Sequence, residues 1–212
     1  MRRTRLSSIF SIDRRTLIAA GVMLLVFSPI ATGIMYDRSN HIPVDPAAYA
    51  SLLNTIAKGE SNGNYNAHYS NSSNTTVLFT EMSVAEVMKW QADFVAGGNP
   101  SNAVGKYQFM GPTLRGLVQK LDIDTKAKFN SQLQDRLAIA LLEKRGALEF
   151  VENKLSRQQF AHNLSKEWAA LPKAVEPNPD QSYYAGDGLN EVQVTIHEVY
   201  TALGILKGYT EA

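Results

Sequence analysis

The chain has 212 residues, a net charge of +1 and no cysteine. A charge this close to zero gives no general attraction to nucleic acid, so we expect no nucleic-acid partner. The absence of cysteine excludes disulfides and thiolate metal sites. The length suits one catalytic domain with a small additional segment, since domains usually contain about 100–200 residues.

The N-terminal segment has the pattern of a membrane anchor. Five arginines within residues 1–15 precede an uncharged run over residues 16–36, which matches the ~20 residues of a transmembrane helix. The excess of arginine before the run predicts a cytoplasmic N-terminus and a single-pass membrane protein whose remainder lies outside, in the periplasm. A cleaved signal peptide is the alternative, with Ala31-Thr32-Gly33 as a poor cleavage site.

Four segments follow from this pattern. Residues 1–15 form a basic cytoplasmic segment, residues 16–36 the transmembrane anchor, residues 37–44 a polar tether, and residues 45–212 one outer domain.

Apolar periodicity predicts that the outer domain is mainly helical, of the α+β class. The first helix begins with Asp45 as N-cap and proline at the first helical position, and it buries one face as far as Glu60. Residues 74–80, rich in threonine and valine, predict a short strand in a small β-rich excursion. Further helices are predicted after the Ser83–Glu86 capping box, near Pro112, over 131–145, around Phe160 to Trp168, and from Asn190.

Glu60 continues the apolar stripe of the first helix, so its carboxyl is expected to face the interior or a cleft wall. Burial raises the pKa of a carboxyl group. A carboxylic acid that stays protonated near neutral pH can protonate a glycosidic oxygen. The alternative is a glutamate at a helix end whose side chain turns out into water.

A second group of residues, Gly105 to Met110, places tyrosine and glutamine directly after a glycine. Glycine permits close approach of a ligand to the backbone, and the two planar polar side chains suit sugars and amides. As an isolated string it is more typical of ordinary structural segments than of a binding site.

Taken in order, several short segments resemble the lambda-type endolysins and related lytic transglycosylases. They include Ile56–Ser61, Leu78–Thr80, Ala103–Phe109, Gln134–Ala138, Glu143–Leu148 and Trp168–Pro172. The resemblance extends over nearly the whole outer domain and leaves out the N-terminal anchor.

The resemblance implies a two-lobed, lysozyme-like domain that cleaves peptidoglycan glycan strands. Glu60 matches the catalytic glutamate of the family, and Tyr107 and Gln108 match the motif that positions the sugar N-acetyl group. Ser61 follows the glutamate as in soluble lytic transglycosylases, where lambda-type enzymes usually have glycine. Tyr183 and Tyr184 are candidates for aromatic residues of the cleft wall, or for plain packing.

The reaction type depends on a second carboxylate, which a hydrolase needs about 5–9.5 Å from the first. Glu81 is the candidate and Asp93 a weaker one, although neither lies in a distinctive motif. Without such a partner, one acid/base can close a 1,6-anhydro sugar ring without water. The resemblance favours this lytic transglycosylase reaction, with a hydrolytic N-acetylmuramidase as the alternative.

Other classes of function have less support. The four histidines show no metal-ligand spacing, so we expect neither a metal nor another cofactor. A non-catalytic peptidoglycan-binding or virion structural protein would retain the cleft without needing Glu60. A phage lysis enzyme, a virion enzyme that opens the wall for genome delivery, and a host or conjugation enzyme all fit the sequence.

Overall fold

The computed structural model describes residues 45–210. Within that range the chain forms seven α-helices: α1 (Ala50–Ser61), α2 (Val84–Ala96), α3 (Gly111–Lys120), α4 (Ser131–Lys144), α5 (Ala147–Val151), α6 (Arg157–Ser165) and α7 (Ile196–Thr210). Two short 3-10 helices lie at Pro46–Tyr49 and Phe79–Glu81. The predicted mainly helical fold is therefore confirmed.

The start and end of α1 follow from local sequence. Asp45 accepts a hydrogen bond from the backbone of Ala47 at 2.8 Å, and the 3-10 helix that begins with Pro46 leads directly into α1. The helix ends where Asn62 adopts a left-handed conformation with φ 53° and its N–H donates to the carbonyl of Ala57. Glu60 is therefore the penultimate residue of α1, directly before the turn that ends the helix.

The predicted strand at residues 74–80 is wrong. Asn74 is buried, and its side chain donates to the carbonyl of Val77 at 2.8 Å and accepts from the N–H of Thr76 at 3.1 Å. An asparagine that bonds its neighbouring backbone competes with a strand ladder. Across residues 45–210 the pairing of extended backbone is limited to isolated bridges, such as that between Val104 and Phe109, so no β-sheet forms the predicted excursion.

The other predicted helices differ from the structure mainly at their ends. The Ser83–Glu86 capping box begins α2 as predicted. By contrast, α6 ends at Ser165, which leaves Trp168 in the following loop. The last helix begins at Ile196, six residues after Asn190, because residues 195–198 form its N-terminal hydrogen bonds.

The core is formed where α7 packs against α1, α5 and α6. Its largest fully buried side chains include Tyr49, Ile56, Leu142 and Phe160. This packing fixes the C-terminal end of α1, and with it Glu60, against the rest of the domain.

The predicted membrane localisation needs correction. Over residues 45–210, no helix is long and apolar enough to cross a bilayer. The predicted anchor, residues 16–36, lies outside the described residues, as do the basic segment 1–15 and the tether 37–44. We therefore withdraw the prediction of a single-pass membrane protein.

Candidate active site

Glu60 is partly buried at the C-terminal end of α1. Its Oε1 accepts a hydrogen bond from the backbone N–H of Ala170 at 3.0 Å. Burial raises the pKa of Glu60 to about 7, although the hydrogen bond from Ala170 acts in the opposite direction. At neutral pH this carboxyl group is therefore protonated in a substantial fraction of the molecules.

A cleft of about 710 Å³ lies beside Glu60. One side is formed by Gly59 and Glu60, and the opposite sides by residues 169–170 and parts of the segment 180–193. The cleft is large enough for a small-molecule or sugar group, since ligand sites usually measure about 300–1,000 Å³. The carboxyl group with the raised pKa thus has space for a ligand next to it.

Gly59 permits the close approach that forms this cleft. A Cβ atom at position 59 would lie 2.9 Å from Cβ of Ala170 and 3.4 Å from Cγ1 of Val194. The first of these distances is shorter than carbon atoms tolerate. Glycine therefore lets the Ala170 backbone come close enough to bind Glu60.

The segment that forms the outer wall is attached at both ends to Ala169 and Ala170, the second of which binds Glu60. Near its start, Oγ of Ser182 donates to the carbonyl of Ala169 at 2.8 Å. At its end, the N–H of Gln193 donates to the carbonyl of Ala170 at 2.9 Å. We call residues 183–192, between these two hydrogen bonds, the wall segment.

Ser61 links α1 to the loop 105–109. Its side chain is buried, and Oγ donates to the carbonyl of Lys106 at 2.7 Å. On the far side of the same loop, Nε1 of Trp168 donates to the carbonyl of Tyr107 at 3.2 Å. The loop is therefore held between the end of α1 and the segment that binds Glu60.

Tyr107 and Gln108 do not line the cleft beside Glu60. The Tyr107 side chain is buried, its hydroxyl donates to Asp135 at 2.6 Å, and burial raises the pKa of that hydroxyl well above its usual range. Gln108 is partly buried in a left-handed conformation with φ 48°, and its Nε2 donates to the carbonyl of Gly105 at 2.9 Å. Both side chains stabilise the loop itself.

The space around Gly105 is filled by protein. Gly105 has φ 79°, and an added Cβ would collide with the side-chain oxygen of Gln134. That oxygen already accepts the N–H of Lys106 at 2.9 Å. The glycine thus permits the close approach of the buried Gln134 side chain. The sequence pattern had instead suggested the close approach of a ligand.

Tyr183 and Tyr184 are exposed side chains of the wall segment. They retain 47% and 39% of their accessible surface, and their ring centroids lie 5.2 Å apart. The hydroxyl of Tyr184 donates to the carbonyl of Lys166 at 2.8 Å, which fixes its ring. Their sequence neighbours Ser182 and Ala185 line the cleft, whereas the two tyrosines are not among the residues that line it.

The two carboxylates suggested as partners of Glu60 form ion pairs elsewhere. Oε2 of Glu81 lies 2.7 Å from Nζ of Lys128, and Oδ2 of Asp93 lies 2.6 Å from Nζ of Lys89. Neither acid belongs to the residues that line the cleft.

Asp180 and Glu191 share the cleft with Glu60 instead. Both are exposed. Neither could be predicted from local patterns, because both lie in an irregular stretch without periodicity. The position of that stretch depends on hydrogen bonds to residues 169–170.

The sequence matches the model of a known protein family. A protein-family model described as Endolysin matches residues 50–195, more than half of the chain. The matched range begins with α1 and includes Glu60, the loop 105–109 and the wall segment. No curated protein and no solved structure matches the sequence.

Proposed function

Because the chain belongs to the endolysin family, we propose that it cleaves the glycan strands of peptidoglycan with Glu60 as the catalytic acid. Endolysins are phage enzymes that degrade the bacterial cell wall. The observation that carries the proposal is the position of Glu60, whose pKa is raised to about 7 and which lines a cleft of about 710 Å³. The catalytic domain is proposed to extend over residues 45–212.

The hydrogen bond at Glu60 assigns a role to each carboxyl oxygen. Oε1 accepts the N–H of Ala170, so the proton of the neutral acid resides on Oε2. This proton passes to the glycosidic oxygen as the bond to the muramic sugar breaks. The carboxylate that remains then acts as a base in the second half of the reaction.

For that second half we propose the lytic transglycosylase reaction. Glu60 removes the proton from the C6 hydroxyl of the muramic sugar, and the hydroxyl oxygen closes the 1,6-anhydro ring at C1. Water is not consumed, and Glu60 regains its proton. The pairing of Glu81 with Lys128, and of Asp93 with Lys89, supports a reaction that needs a single acid/base.

Hydrolysis is the second candidate, favoured by Asp180 and Glu191 in the same cleft. A hydrolase uses a second carboxylate as nucleophile or as the base that activates water. In that reaction a water oxygen ends on C1 of the muramic sugar.

Digestion in ¹⁸O-labelled water distinguishes the two reactions. We expect mass spectrometry of the released fragments to find 1,6-anhydromuramic ends without ¹⁸O. Reducing ends that carry ¹⁸O would establish hydrolysis, and loss of cleavage in Asp180→Asn or Glu191→Gln would then identify the second carboxylate. Glu60→Gln serves as the inactive control.

The remaining candidate site residues have different proposed roles. Ser61 and Tyr107 are proposed as positioning residues, because both are buried and fix the loop beside Glu60. Tyr183 and Tyr184 are proposed to contact sugar rings at the rim, where their faces are exposed. Gln108 is proposed to bind a sugar N-acetyl group, after release from the Gly105 carbonyl.

The pH dependence of cleavage should follow the ionisation of Glu60. Its pKa of about 7 means that the protonated acid is lost above neutral pH, so kcat/KM is expected to fall about tenfold per pH unit on the alkaline side. A pH–rate profile on purified glycan strands measures this. A constant kcat/KM to two units above neutral would contradict the role of Glu60 as acid.

A further inference from the structure

A second cavity lies at the same end of α1, on the side of Lys58 and Asn62. It measures about 380 Å³ and is lined by Asn54, Ala57, Lys58, Asn62, Gly63 and Lys106. Among the described residues that line this cavity are two lysines and two asparagines, and none of them is acidic. This composition suits an anionic ligand.

The ammonium group of Lys106 is held in place. Its Nζ donates to the hydroxyl of Tyr65 at 3.2 Å and lies 4.7 Å from the centroid of that ring and 5.3 Å from that of Tyr107. Only 13% of the Lys106 side chain is exposed. A cation fixed in this way loses little conformational entropy when it binds a ligand.

The acidic groups nearby leave Lys106 able to bind an anion. Oδ1 of Asp135 is 4.0 Å from its Nζ, beyond the ~2.7–2.9 Å of a charge-assisted hydrogen bond. Asp135 instead accepts hydrogen bonds from the hydroxyls of Tyr65 and Tyr107. Lys58, in contrast, forms an ion pair with Glu198. Lys106 is therefore the cation in this cavity that is suited to an incoming ligand.

The cavity is connected to the catalytic glutamate by short covalent and hydrogen-bonded links. Ser61 lies between Glu60 and Asn62 in the chain, and its Oγ donates to the carbonyl of Lys106 at 2.7 Å. A glycan bound at Glu60 carries peptide stems on its muramic sugars. A stem of three residues spans about 10 Å when extended, which provides reach from a sugar at Glu60 to a site at the same helix end.

We propose that this cavity binds a carboxylate of the peptide stem, through the ammonium of Lys106 and the side-chain amide of Asn62. The proposal rests on the proposed glycan-cleaving function. It assigns the enzyme a preference for glycan strands that carry peptides over bare glycan strands.

The test compares two substrates, peptidoglycan strands with their stems and the same strands after an amidase has removed the stems. The wild type is expected to have a higher kcat/KM on strands with stems. In Lys106→Met and Asn62→Gly, kcat/KM on these strands should fall about tenfold, as expected for a lost hydrogen bond to a charged group. On bare strands Asn62→Gly, which changes no residue of the loop 105–109, should match the wild type, and Lys106→Met should lose the preference for strands with stems.

Several outcomes would overturn the proposal. It fails if the wild type cleaves both substrates equally, or if both variants lose activity equally on both substrates. Asn62→Gly tests the site while Lys106 stays in place. The backbone conformation is retained, because glycine accepts the φ of 53° at this position. Lys89→Met, which removes an exposed lysine from α2, is the matched control and should retain the preference.

The same experiment separates this proposal from the proposed function. A wild type that cleaves neither substrate would contradict glycan cleavage itself. A wild type that cleaves both without preference, while Glu60→Gln cleaves neither, would leave the function intact and remove only the peptide site.

Discussion

Replacing Glu60 with glutamine is expected to lower the rate of glycan cleavage by about 10³-fold, within the ~10²–10⁴-fold contribution of general acid–base catalysis. Glutamine has the same shape, and its side-chain oxygen can still accept the N–H of Ala170 that Oε1 of Glu60 accepts. The variant therefore lacks the transferable proton but retains the local structure. Release of soluble fragments from purified peptidoglycan measures the loss.

Glu81→Gln is the matched control for this experiment. Glu81 is an exposed carboxylate that pairs with Lys128 outside the cleft, so its replacement should leave cleavage close to the wild-type rate. Equal loss of activity in both variants would contradict the assignment of Glu60 as the catalytic acid.

Glu60→Gln also has a consequence for stability. The folded-state pKa of Glu60, about 7, lies above the ordinary value of 4.5, so the folded state binds this proton more tightly than the unfolded state. The resulting stability is complete below the ordinary pKa and is lost as pH rises through about 7. The variant cannot ionise at this position, and we expect its free energy of unfolding to exceed that of the wild type by roughly 3 kcal/mol above neutral pH. Urea unfolding on both sides of neutrality checks this. The same decrease in the free energy of unfolding with rising pH in both proteins would contradict it.

The second large effect is expected at Gly105. An alanine there would have to adopt φ 79°, and its Cβ would collide with the side-chain oxygen of Gln134 and lie 3.2 Å from Cε1 of Phe129. The backbone strain costs about 1–2 kcal/mol, and overpacking adds about 1–3 kcal/mol. We expect Gly105→Ala to lower the free energy of unfolding by about 3 kcal/mol or more.

The collision at Gly105 cannot be relieved cheaply, because Gln134 is already fully engaged. Its amide nitrogen donates to the carbonyls of Tyr65 at 3.1 Å and Phe129 at 3.0 Å. Gly98→Ala is the matched control, since Gly98 has φ 93° with nothing within 4 Å of an added Cβ. Urea unfolding should show a loss of only about 1–2 kcal/mol for Gly98→Ala. Equal losses at the two positions would mean that strain alone, without the collision, accounts for the effect.

Sequence patterns predicted the features of this domain that depend on residues close together in the chain. The Ser83–Glu86 capping box and the buried stripe of α1 were both confirmed. Each depends on contacts within a few residues, which one sequence displays. A capping box also marks the start of α7, because Thr195 and Glu198 exchange backbone and side-chain hydrogen bonds.

Features that depend on distant contacts could not be predicted in this way. The residues around Asn74 have strand propensity, yet the buried amide of that asparagine imposes a turn. The outer wall of the cleft, with Asp180 and Glu191, is set by hydrogen bonds to residues 169–170 that no local pattern encodes. Sequence could therefore indicate Glu60 as a candidate acid but could not identify which other carboxylates share its cleft.

The attachment of the wall segment leaves the hydrogen bond of Glu60 independent of the residues within that segment. Its two ends are fixed to the carbonyls of neighbouring residues, Ala169 and Ala170, while the N–H of Ala170 binds Glu60. Residues between these points can be added or exchanged at little entropic cost, because loop closure depends only weakly on loop length. A different loop inserted in place of the wall segment can therefore change the shape of the cleft while Glu60 keeps its hydrogen bond.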